Sequence, residues 1–462
     1  MYCRLNWLKS LRSLPALRCI VLAAILVTVS CPLLRLNSQV PLLEASPSAE
    51  ATDTGPVVKE VQSAYLYLHL ELAHYATGND LRLLDSYVTT ANFDDGDTAW
   101  TYDNALVMLA FLARGTAEDL PAARVLADSL VYAQTHDPEF SDGRVRDAYH
   151  AQTFVGADGK VNVAVSGSAT GNMAWATLAL VRAWERLGER AYLEAAQRLG
   201  QWIFDQAADP RGAGGYNGGV DEAGNRLFWK ATEHNADVYA AFMNLYRATG
   251  DPAWRARAMD GKRFLVTLWD AAGGFFWTGT TEDGATINPY PRPEDGQSWT
   301  SLAMGEPGRY GRALAWAESE LYCEACPACE AASGYRFSDA GSGCWPEGTA
   351  HMALAWQALD NQVRATRLLE SLRRIRVPVP GLAGEAIPAA CGADAVTGYG
   401  WNYPAGVPHI GATAWYLFAE LGHNPFWGMS VDQPIPFEGL YDEKTVRQFL
   451  PVVRAGLAAP AR

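Results

Sequence analysis

Gly214-Gly215-Tyr216, followed by Asp221-Glu222-Ala223-Gly224, returns as Gly273-Gly274-Phe275 with Glu282-Asp283-Gly284, and again as Ser333-Gly334-Tyr335 with Asp339-Ala340-Gly341. The aromatic residue moves from 216 to 275 to 335, at steps of 59 and 60, and Ala157-Asp158-Gly159 marks an earlier copy 65 residues before Gly224. A period of this length signals a repeated supersecondary unit rather than chance. Each copy reads as two short extended segments around an acid-plus-glycine turn, which predicts a small hairpin loop.

Each loop is followed by a segment of helical period rich in Ala, Leu and aromatics. The starts are Tyr102-Asp103-Asn104-Ala105, Thr170-Gly171-Asn172-Met173, Glu233-His234-Asn235-Ala236, Gln297-Ser298-Trp299-Thr300, Pro346-Glu347-Gly348-Thr349 and His409-Ile410-Gly411-Ala412. Ala105 to Leu112 and Ala174 to Ala183 are apolar almost all round, as a helix buried on every side must be. Between them lie amphipathic segments over Val57–Tyr75, Ala117–Thr135, Ala191–Ala207, Pro252–Trp269, Arg309–Tyr322 and Asn361–Ile375. Charges such as Arg255, Arg257 and Lys262 recur on one face of these, which suits an outer ring. Six buried helices alternating with six exposed ones predict an all-α fold, an (α/α)6 toroid of six helical hairpins with short β-hairpin loops at the cleft end. An open solenoid is the alternative, but its concave surface would show charge that the inner helices lack.

The domain organisation expected is a leader or anchor over residues 1–37, a flexible linker over 38–56 rich in Ser, Pro, Ala and Thr, the barrel over 57–430 and a C-terminal tail over 431–462. Arg4, Lys9, Arg12 and Arg18 precede an apolar run from Cys19 to Leu34, the layout of a secretory signal or an N-terminal membrane anchor. The domain is therefore expected outside the cytoplasm, with membrane attachment through the N-terminus if the segment is retained. Of the eight cysteines, Cys323, Cys326, Cys329, Cys344 and Cys391 fall in the barrel, and in an exported chain disulfides tying down one loop are expected before a zinc or iron–sulfur site. A net charge of −14 without a dense basic tract excludes a nucleic-acid partner. Sixteen Trp and twenty Tyr suit helix packing and the stacking of sugar rings.

In this arrangement, and in Tyr102-Asp103-Asn104, Glu233-His234-Asn235-Ala236-Asp237 and Trp345-Pro346-Glu347-Gly348, the chain resembles the six-hairpin glycosidase superfamily from about Val57 to Leu421. The resemblance implies a carbohydrate partner. It also implies a glycoside hydrolase of the inverting, two-carboxylate kind, with epimerases of the same architecture among the relatives. No cofactor is implied, and no His-Glu-x-x-His or His-x-x-His motif points to a catalytic metal; Asp94, Asp95 and Asp97 are a weaker candidate for calcium.

Loops feeding the inner helices gather at one end of such a barrel, so first-turn residues rim the cleft. Inverting hydrolysis needs an acid and a base carboxyl roughly 6.5 to 9.5 Å apart. Glu233 is the expected general acid, Asp103 the base and Glu347 the next candidate, while Asp237 lies four residues beyond Glu233 on the same helix face. Helix-capping acids would look the same in sequence. Trp100, Tyr102, Trp299, Trp345, Trp401 and Tyr403 are candidates for stacking on sugar, and Asn104, His234, Asn235 and His409 for bonding its hydroxyls. An epimerase would instead use His234, His351 and His409 as proton carriers. A non-catalytic polysaccharide-binding protein is the third reading.

Overall fold

The structure, a computed structural model, describes residues 56–76, 80–324, 329 and 332–436. The leader-like segment, the linker, Cys326 and most of the C-terminal tail lie outside the described residues. Among these there are twelve helices. The outer ones are α1 (Pro56–His74), α3 (Asp119–Thr135), α5 (Arg190–Ala207), α7 (Pro252–Leu268), α9 (Pro307–Glu320) and α11 (Gln362–Arg374). The inner ones are α2 (Thr101–Arg114), α4 (Thr170–Leu187), α6 (Thr232–Thr249), α8 (Asp295–Met304), α10 (Pro346–Ala358) and α12 (Ile410–Leu421). Each inner helix packs on the next, and α12 packs on α2, so the ring is closed. Burial follows the two sequence patterns. From Asn104 to Leu112 every residue of α2 is buried, whereas α11 buries Ala365, Leu368, Leu369 and Leu372 and turns its arginines outward.

What fixes the loops to the helices is a recurring polar latch. The Asn104 side chain, fully buried, accepts from Leu84 N (2.8 Å) and donates to Leu84 O and Trp100 O. Asn235 does the same with Tyr216 N and O and with Ala231 O, and Gln297 with Phe276 N and O and Pro293 O. Thr349 and Thr413 supply a shorter version, each accepting one backbone N–H, of Tyr335 and Ile387 respectively. Thus Asn104 and Asn235, expected to bond sugar hydroxyls, are spent on backbone. A buried loop must satisfy its amides, and these side chains do so. The latches also correct the repeat register, because Phe276, and not Phe275, is the counterpart of Tyr216 and Tyr335.

A second set of bonds ties five of the six inner helices to the loop of the next, the exception being α10, which opens on Pro346 and has no N–H to give there. Thr101 N donates to Asp147 O, Thr170 N to Gly218 O, Thr232 N to Thr278 O, and Glu294 N to Phe337 O. Ile410 N donates to Ser86 O in the first loop, which completes the circle. First-turn amides have no partner inside their own helix, so in five of the six cases a loop satisfies its neighbour. Small antiparallel pairs, such as Gly219–Val220 with Arg226–Leu227, form the expected hairpins, and Asp221 caps that turn by accepting from Ala223 N and Asn225 N. One disulfide joins Cys329 to Cys391.

The far end of the barrel is plugged by residues 423–430. Asn424 and Trp427 donate to Leu302 O, Asn244 donates to Phe426 O, and Arg182 donates to Trp427 O. A cavity of about 260 Å³ lies at this end, lined by residues including Leu302, Ala355, Leu359 and Met429, with Asp432 its one titratable side chain. No described helix is long and apolar enough to cross a membrane.

Because Asn235 serves the fold, Asn235→Ala is expected to destabilise the protein by about 1–3 kcal/mol through the unpaired Tyr216 amide. A melting curve unchanged from that of the parent would show that the latch does not hold the loop.

Candidate active site

Counting from the residue whose carbonyl each latch engages, and in α4, which carries Met173 in place of a latch, from Ala169 before the helix, the six inner helices share one register. Two residues on stand Tyr102, Gly171, Glu233, Asp295, Glu347 and Gly411; six residues on stand Leu106, Trp175, Asp237, Trp299, His351 and Trp415. The second set is one helical turn deeper. Trp175, Trp299 and Trp415 come from alternate helices and meet one another, with ring centroids 5.4 to 5.7 Å apart. Phe426 of the plug packs against all three from below. The centre of the toroid is therefore a blind pit with an aromatic floor, and the first set forms its wall.

On the α10–α12–α2 side, Glu347 is the hub. Tyr102 Oη donates to its Oε1 at 2.7 Å and itself accepts from Trp415 Nε1 at 2.8 Å. His351 Nε2 stands 3.8 Å from Oε1 and His409 Nδ1 3.7 Å from Oε2. Burial alone would raise this carboxyl, but His351, His409 and Tyr102 outweigh it and hold Glu347 below the usual value. His351 Nδ1 reaches Glu294 Oε2 at 3.2 Å, and His409 Nε2 reaches Asp103 Oδ2 at 3.3 Å. Five buried groups thus alternate acid and imidazole: Glu294, His351, Glu347, His409, Asp103. His351 loses to burial and gains more from its two carboxylates, so it is the favoured holder of a proton. His409 likewise loses to burial and is pulled upward by Asp103 and then by Glu347. Yet its Nδ1 accepts the Ala412 N–H as a helix cap, which requires that nitrogen unprotonated, so we assign His409 as neutral with Nε2–H toward Asp103. Tyr87 stacks on the His409 ring at 4.4 Å.

On the α6–α8 side the acids have no such partners. Burial pushes Glu233, which keeps some exposure to the pit, up to about 7. Burial pushes Asp237 well above the carboxylate range, and the charges of Glu233 and Asp295 add to it. The Trp175 N–H pulls the other way, approaching Asp237 without a hydrogen bond of good geometry. Asp295 is raised by burial, then by Glu233 and Glu294. His234 beside them is depressed by burial to about 3 and is neutral.

The structure brings Glu233, Asp237 and Glu347 into one pit with His234, Tyr102 and Trp299. It sets Asp103 one residue off the inward register, against His409 and over Gly411, where a Cβ would lie 2.3 Å from Asp103 Oδ1. Trp345 caps α10 and stacks on Tyr403 at 5.5 Å, with the exposed Trp401 beside them, so these three form a rim patch. Trp100 caps α2, and its amide donates to Ser86. Sequence reasoning missed Glu294, Asp295, Trp175 and Trp415. The shared two-and-six spacing would have found Asp295 and both tryptophans. Among the described residues no group of His, Cys, Asp or Glu is arranged to hold a metal ion.

No family model and no curated protein matches the sequence. Solved structures do match. A glycosidase variant in complex with glucose aligns with TM-score 0.56 at 12% identity, over 80% of this chain and 99% of its own. A sugar epimerase from a ruminal bacterium aligns at 0.55 and 12%, over 79% and 98%. A glycoside hydrolase family 76 mannosidase from Bacteroides thetaiotaomicron aligns at 0.53 and 13%, over 79% and 97%. The chain has the six-hairpin glycosidase fold. At such identities the likeness speaks for the barrel alone, and the chemistry must come from the pit.

Glu233 offers a stability test. Its value moves from 4.5 to about 7 on folding, so the folded state favours the protonated form, and the resulting stability is full below about pH 4.5 and lost as pH rises through 7. Glu233→Gln removes that loss. Its melting temperature relative to the parent should climb between about pH 5 and pH 8, and a difference constant with pH would contradict the assignment.

Proposed function

We propose that the protein is a glycoside hydrolase, with Glu233 as general acid and Glu347 as the charged carboxylate that activates water or otherwise meets the anomeric carbon. The observation that carries this is the opposed environment of two carboxyls at the same register position of α6 and α10: Glu233 is held protonated towards neutrality and Glu347 ionised. Acid and base roles are separated in this way when surroundings push two carboxyls apart. Glu347 thereby takes the base role that sequence position suggested for Asp103, and Asp103 orients His409. A ring of sugar would find both donors and acceptors. The indole N–H groups of Trp175, Trp299 and Trp345 are buried without hydrogen-bond partners, as are both oxygens of Asp237. The tryptophan floor supplies an apolar face for stacking.

An epimerase reading is weaker on this geometry. It needs imidazoles free to exchange protons with a sugar carbon, but His409 spends one nitrogen on a helix cap and aims the other at Asp103, and His351 has a carboxylate at each nitrogen. The leader-like N-terminus and the Cys329–Cys391 disulfide favour an oxidising, exported setting.

Glycan-array digestion followed by anomeric proton NMR tests the proposal. Cleavage with inversion is expected, and Glu233→Gln and Glu347→Gln should each lower turnover by about 10²–10⁴-fold, with Asp103→Asn falling less. Full turnover in either glutamine variant, or interconversion of free sugars without cleavage, would refute it.

A further inference from the structure

The two sides of the pit differ in charge balance. Glu294, Glu347 and Asp103 interleave with His351 and His409, but Glu233, Asp237 and Asp295 make no ion pair with any described residue. Asp237 is fully buried at floor level, and neither of its oxygens has a hydrogen-bond partner. Gly171 faces them: a Cβ there would lie 3.4 Å from Asp237 Oδ2 and 2.6 Å from His234 Cδ2, so the bare glycine is what lets the His234 ring pack beside Asp237. His234, the nearest basic residue type, is neutral and brings no charge.

Hydrolysis of a neutral sugar uses one carboxyl on this side as its acid. Two further acids are left over, and burying carboxyl groups without a counter-charge is costly. We propose that the α6–α8 side of the pit binds a cationic group, so that the sugar it accepts is an amino sugar with a free ammonium. This rests on the pit being a sugar site. An ammonium carries three donors and no acceptor, which matches three carboxyls converging from two adjacent helices. Its hydrogen bonds to carboxylates are charge-assisted, and the neighbouring Trp175 adds an aromatic surface favourable to cations. The net charge of −14 disfavours uronates.

Calorimetry on the full chain at neutral pH tests this with three matched pairs: glucosamine and glucose, galactosamine and galactose, mannosamine and mannose, plus glucuronate. In at least one pair the amine should bind about tenfold tighter or more than its neutral partner, as expected for a charged hydrogen bond, and glucuronate should bind worst. Amine binding should release protons, seen as a heat that varies with buffer ionisation enthalpy. In Asp237→Asn, and separately in Asp295→Asn, the amine-to-neutral affinity ratio should fall towards one, with circular dichroism reporting that each variant folds. Neutral sugars binding as tightly as their amines in all three pairs would overturn the inference while leaving hydrolysis standing. An unchanged ratio in both variants would overturn it too. If none of the sugars binds, the reading of the pit as a sugar site falls with it.

Discussion

Three tryptophans meeting on the barrel axis decide what this toroid can be. Trp175, Trp299 and Trp415 come from α4, α8 and α12, and each touches the other two. Aromatic pairs of this kind are worth about 0.5–1.5 kcal/mol each beyond their area burial, but their position matters more than their energy. They fill the hole that six helices leave at their centre, and with Phe426 beneath them they convert a channel into a pit. One turn nearer the mouth, two of the same three helices carry Gly171 and Gly411. Bulk fills the floor, and the bare glycines above it let His234 pack over Gly171 and Asp103 over Gly411.

The remaining wall positions carry the chemistry. Since Tyr102, Glu233, Asp295 and Glu347 share a register, their separation is set by the ring of helices and not by flexible loops. Latches and cross-loop amide bonds hold that ring. Charge is then divided by neighbours: imidazoles interleave with the acids around Glu347, and apolar burial surrounds Glu233 and Asp237. One scaffold thus holds one carboxyl below and another above the usual carboxylate range, the division on which the proposed acid and base roles rest.

Much of the fold was legible in the sequence because burial leaves a periodic trace. Pro252 and Pro346 open helices where the pattern placed them, and the other boundaries moved by a residue or two. α8 moved in a way that mattered. The pattern started it at Gln297, and the Pro-rich stretch before it with Gly296 hid Glu294 and Asp295. Asn104 and Asn235 looked like sugar ligands because a polar residue at a cleft mouth is one in either role; their partners are backbone groups 20 and 19 residues away, which no local pattern reveals. Trp175 and Trp415 drew no notice because they sit inside apolar helical segments where any large side chain reads as core, yet their packing builds the floor. Of the six aromatics expected at the rim, Trp345, Trp401 and Tyr403 pack against one another.

The most direct test is a crystal structure of the Glu233→Gln variant soaked with an oligosaccharide from the proposed substrate class. The account predicts one sugar ring lying on Trp175, Trp299 and Trp415, with its glycosidic oxygen beside the substituted side chain and its anomeric carbon facing Glu347. A sugar seated instead in the far-end cavity beside Leu302 and Met429, or on the outer helices with the tryptophan floor uncovered, would contradict it.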